Sequence, residues 1–122
     1  MMKLSIAYIK SAGDIENERV VLKAIEDCDI GGYFTFFSHY TDNGSVSTSV
    51  VAPFWFMDAT VKKGDTIVIY TKSGKRASKQ NNDGTNSYFF YRNRGEAICK
   101  GNNECVVLLE VASWRSSGEK LS

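Results

Sequence analysis

The amino-acid sequence predicts an all-β sandwich of about seven to nine strands, on three observations. Short apolar runs rich in Val, Ile, Tyr and Phe recur along the chain, Gly, Asn and Asp bracket them, and no long run carries an unambiguous helical period. A sandwich needs this pattern because each strand buries one face and turns at its end. At 122 residues with 43% hydrophobic residues, the chain suits one domain with its own core. That domain is expected over residues 1–113, with a flexible tail over 114–122 from Trp114 onward.

Leu4, Ile6 and Tyr8 alternate with Ser5 and Ala7 and predict a first strand ending at Ser11-Ala12-Gly13-Asp14. A second strand is expected over 17–25. Helix competes there, because Val20, Val21, Ala24 and Ile25 would share one helical face, but the close brackets and β-branched centre favour strand. Gly31-Gly32 feeds an aromatic strand, Tyr33 to Phe37, and Asp42-Asn43-Gly44 marks a turn. A weak strand, Val46 to Val51, should end at Pro53, with Phe54 to Met57 plugging the core at a sheet edge. Thr66 to Thr71 reads as the clearest buried strand, Tyr88 to Tyr91 as another, and Cys105 to Val111 as the last. Residues 72–87 contain one apolar side chain, Ala77, and are expected to form a mobile polar loop.

Three cysteines, Cys28, Cys99 and Cys105, make an odd set, which suits free thiols in a cytoplasmic protein. No stretch approaches the ~18 apolar residues of a membrane span, so no membrane partner is expected. Charge is uneven: residues 1–61 hold four Lys or Arg against eight Asp or Glu, and residues 62–122 hold eleven against six. Such a dipolar surface can steer a partner even with a net charge of +1.

Over residues 4–111 the order and spacing of segments resemble a lamin-tail-type domain, an immunoglobulin-like β-sandwich. Asn17-Glu18-Arg19-Val20-Val21-Leu22 resembles its early strand, and Gly32-Tyr33-Phe34-Thr35-Phe36 its next. Phe54-Trp55-Phe56 followed by Lys63-Gly64-Asp65-Thr66-Ile67-Val68-Ile69-Tyr70-Thr71 resembles its hydrophobic patch, turn and aliphatic strand. Asn102-Asn103-Glu104-Cys105-Val106-Val107-Leu108-Leu109 resembles its last turn and strand. The chain departs from that pattern at Tyr33, where the family has Trp, at Asn103-Glu104 in place of Gly-Asp, and in an insertion over 41–53. The resemblance implies a non-enzymatic interaction domain with no catalytic residues to carry over.

The residues agree. His39, the only histidine, sits beside a turn and reads as a solvent-facing residue rather than a catalytic base. Cys28, His39, Cys99 and Cys105 lack the spacing of a zinc site, so neither metal nor cofactor is expected. Asp14, Glu16, Glu18, Glu26, Asp27 and Asp29 read as a solvated acidic edge. Lys72-Ser73-Gly74-Lys75-Arg76 lacks the phosphate-loop pattern.

What remains is Lys72, Lys75, Arg76 and Lys79 on the expected loop, with Tyr88, Phe90, Arg92 and Arg94 on the adjoining strand. Interleaved cations and aromatics suit an acidic protein surface, where Arg and Tyr are favoured anchors. They equally suit a phosphate backbone with stacked bases, and plain solubility with the aromatics in the core carries about half the weight. The leading expectation is a protein-binding module using the basic segment, an exposed edge strand, or both. The alternative is a nucleic-acid-binding accessory protein, of a kind that would fit a mobile-element or defence system.

Overall fold

The computed structural model describes residues 2–101 and 104–118. Among them run β1 (Leu4–Lys10), β2 (Arg19–Ala24), β3 (Cys28–Asp29), β4 (Tyr33–His39), β5 (Val51–Trp55), β6 (Thr60–Val61), β7 (Thr66–Tyr70), β8 (Ala77–Gln80), β9 (Asn86–Tyr91) and β10 (Glu104–Glu110). The only helical element described is one 3-10 turn, Ile30–Gly32. The protein is an all-β sandwich. A five-stranded sheet, ordered β1-β2-β7-β9-β8, faces a three-stranded sheet, ordered β10-β4-β5, and β3 pairs with β6 in a short ribbon.

The core lies where the inner faces meet. Val20, Leu22, Ile67, Ile69 and Phe90 from the larger sheet pack with Tyr33 and Phe37 from the smaller, closed by Ile30, Phe56 and Val61. Phe54, Phe56 and Phe90 meet edge to face with centroids 5.2–6.0 Å apart, the arrangement aromatic quadrupoles favour. β2 pairs with β1 on one side and β7 on the other, which settles its competition with helix. Its inner Val20 and outer Val21 are both buried, because β2 has a strand and its side chains on either side.

Three local expectations change. Residues 72–87 are not one loop: 77–80 form β8, and β9 begins at Asn86, two residues before the expected start at Tyr88. Residue 46 makes only an isolated bridge to Tyr40, and the strand expected there starts at Val51 instead. Pro53 does not end that strand but lies inside it. β5 is an edge strand, so an N–H missing on its open side costs no ladder bond.

One pair departs from the all-antiparallel pairing of immunoglobulin-like sheets: β9 runs parallel to β7. A parallel pair needs a connection of a dozen or more residues. Residues 71–85 supply it by running out to the sheet edge as β8 and turning back, so β9 inserts between β7 and β8.

Candidate functional site

The basic segment identified in the sequence is the edge of the larger sheet. β8 has no buried side chain, so it is held by its main chain alone, in register with β9 from Ala77 opposite Phe89 to Gln80 opposite Asn86. The polar residues beyond it are turn chemistry. Asn81 N–H donates to Thr85 C=O (2.8 Å), Asp83 accepts from Thr85 N–H and hydroxyl (3.0 and 2.6 Å), and Gly84 takes φ +89°. In an antiparallel ladder bonded pairs alternate. The Asn81 bond therefore sets Lys79 and Ala77 as the residues exchanging bonds with β9. The N–H and C=O of Ser78 and Gln80 face away from the sheet.

Beside this edge, β5 and the segment leading into β8 border a groove of about 210 Å³ lined by Phe54, Trp55, Met57, Arg76 and Phe90. Arg76 lies 4.9 Å over the Phe90 ring, and Trp55 and Met57 are 42% and 73% exposed. Trp114 stands edge-on to Trp55 at 5.2 Å, so the segment expected to fray from Trp114 starts against the body of the domain. Gly74 shapes the approach to β8: a Cβ there would lie 2.5 Å from the Tyr91 ring. Its N–H donates to Asn93 Oδ1 (3.1 Å).

The eight candidate residues separate. Lys75, Arg76, Lys79 and Arg94 are exposed. Lys72 turns to the outer face of the larger sheet, 5.2 Å over Tyr70, which stacks on Tyr91 at 5.3 Å. Tyr88 points inward and packs against the core, and Phe90 is part of it. Alternation predicts this placement once β9 is central, because Phe90 pairs with Ile69 and Tyr88 with Ile67. Arg92 is also removed from the surface. It donates to Ala52 C=O and lies 5.1 and 5.6 Å from the Phe37 and Phe54 rings. Its Nε and Nη2 are buried without a partner. Burial, with Arg94 nearby, pulls this guanidinium down to about 10.

Glu18 also departs from expectation. It is fully buried rather than solvated. Its carboxylate accepts from Gly13 N–H (2.9 Å), Thr71 hydroxyl (2.5 Å), Ile98 N–H (2.9 Å) and Cys99 N–H (3.0 Å). Burial pushes its carboxyl upward, but the Thr71 hydroxyl and the three N–H groups outweigh that and hold it below the usual range. Glu18 thus ties its own preceding turn at Gly13 to two distant segments, at Thr71 and at Ile98-Cys99. No sequence signal marks it, since two of its donors lie some 80 residues away.

A larger cleft of about 350 Å³ contains His39, Ser38 and Glu104. The Ser38 hydroxyl is buried and donates to Ser47 C=O (3.1 Å), and Glu104 accepts from the N–H groups of Lys100 and Gly101. The Ser38 hydroxyl and the Glu104 carboxylate are thus engaged in holding the local backbone. Among the described residues no group of three or more His, Cys, Asp or Glu could hold a metal ion. The Asn102-Asn103 part of the resemblance lies outside the described residues. Compared with known proteins, the chain matches no family model and no curated protein.

Proposed function

We propose that this chain is a non-catalytic interaction domain of the lamin-tail type that binds a protein partner, taking an acidic, extended segment of it alongside β8. The observation that carries the reading is the main-chain row of Ser78 and Gln80 facing away from the sheet, in a segment from 72 to 80 with four cations and no carboxylate. Strand addition supplies affinity through the backbone and specificity through alternate side chains. Here the groove at Trp55 and Arg76 receives the side chains that point inward. A second copy of this chain is the wrong occupant, because pairing β8 with itself would bring like charges together.

The order and spacing of segments over residues 4–111 are what carry the lamin-tail assignment; the all-β sandwich is compatible with it, and the parallel β7–β9 pair departs from it. All three cysteines are unpaired, which favours a reducing compartment such as the cytoplasm. No helix among the described residues is long and apolar enough to cross a membrane.

The test is affinity purification with quantitative mass spectrometry, comparing the wild type with Ser78→Pro and Arg76→Glu. Proline at Ser78 removes an outward donor without touching a β9 bond, so circular dichroism and melting temperature should hold while a specific partner is lost. An unchanged set of partners in both variants refutes the reading.

A further inference from the structure

The outer face of the five-stranded sheet is a separate surface from the β8 edge. Strand register sets three rows across it. The middle row runs Tyr8, Val21, Val68, Phe89. Lys10, Arg19 and Tyr70 flank it on one side, and Lys23, Thr66 and Ser87 on the other, with Lys79 opposite Ser87. The middle row is apolar yet sits on the solvent side. Tyr8 is 53% exposed and Phe89 is half-buried, above buried Val21 and Val68.

The flanking cations make no close ion pair. Among the described residues, neither ion pair involves Lys10, Arg19, Lys23, Lys72 or Lys79. Arg19 lies 5.5 Å over Tyr70 on one side of the row. On the other, Lys23 is steadied by Thr66 Oγ1 (2.9 Å) and Gly64 C=O (3.3 Å). Two acids interact with these cations at longer range: Asp14 feels Lys72, and Asp83 feels Lys23.

An apolar row with an aromatic ring at each end, Tyr8 and Phe89, flanked on both sides by cations outside any ion pair, matches a ligand with flat apolar groups strung on an anionic backbone. We propose that this face binds single-stranded nucleic acid, with bases stacked on Tyr8 and Phe89 and phosphates against Lys10, Arg19 and Lys23. Every base has a face to stack, so such a platform tolerates sequence. A duplex offers phosphates but keeps its bases stacked within the helix. An acidic protein or an anionic membrane would use the cations without needing the aromatic row.

The probe is a fluorescein-labelled oligo(dT) 12-mer followed by anisotropy, beside a duplex of equal length and phosphatidylserine vesicles. The wild type should bind the oligonucleotide with a dissociation constant of roughly 1–100 µM at low salt, weakening as salt rises. Tyr8→Ala should weaken it about tenfold, and Tyr8→Phe should keep it. Lys10→Glu with Lys23→Glu should lower the salt slope by about 1.4, at ~0.7 per phosphate contact. That pair leaves β8 untouched, so the result is independent of the protein-binding reading, and circular dichroism confirms that each variant is folded. Binding weaker than about 1 mM, indifference to Tyr8→Ala in a folded variant, or preference for duplex or vesicles overturns the proposal.

Discussion

Replacing Glu18 with alanine should cost this protein a large share of its stability. The substitution removes one acceptor from four donors: the N–H groups of Gly13, Ile98 and Cys99 and the hydroxyl of Thr71. Each orphaned donor costs about 1–3 kcal/mol; the low end applies where relaxing loops admit water, so the total is about 4 kcal/mol at pH 7. Against a whole-domain stability of ~5–15 kcal/mol, that loss is severe. The folded-state pKa of Glu18 lies below the ordinary 4.5. Its contribution is therefore fully present above that value and is lost as pH falls through the folded value. The gap between wild type and Glu18→Ala should thus narrow in acid. Urea melts followed by tryptophan fluorescence at pH 7, 5 and 3 measure it, and hydrogen exchange at Ile98 and Cys99 should lose protection in the variant. A gap under about 1 kcal/mol at pH 7, or one that does not narrow by pH 3, refutes the clamp.

Arg92→Met should change stability by no more than about 1 kcal/mol, because a buried guanidinium with two unpaired nitrogens gains little over an apolar side chain of similar length. It should also leave partner recovery unchanged; a loss above about 3 kcal/mol in urea melts would show instead that the buried cation holds the core together. The thiols give a third expectation, since all three cysteines are free: denatured, unreduced protein should titrate three thiols. In the folded state Cys99 should react slowest, because burial and then the Glu18 carboxylate push it up to about 12. Fewer than three thiols in the denatured protein would contradict the unpaired state.

Strands with one dry face were legible because the period-two pattern reports burial directly. β1, β2, β4, β7 and β10 all lie within a few residues of where alternation and turn residues set them. β8 was not legible for the same reason. All four of its side chains are exposed, so it has no burial pattern to show, and its place is fixed by main-chain bonds to a strand that follows it. The basic segment lies at the sheet edge, whereas Tyr88, Phe90 and Arg92, grouped with it on sequence as binding candidates, turn inward. Their burial depends on β9 being central, which requires the parallel pairing with β7. Glu18 looked like any acid near a turn because its donors come from opposite ends of the chain.

The insertion of β9 between β7 and β8 also sets an order of assembly. On a growing chain, β1, β2 and β7 can pair as they emerge, whereas β8 has no neighbour until the residues after it have been made. β9 must seat against β7 before β8 can be held at all. The β8 edge is therefore the last part of the larger sheet to exist. A nascent or truncated chain ending before residue 86 could carry every cation of the basic segment and still lack the β8 edge, so under the proposed strand addition recognition would wait for completion of the sheet.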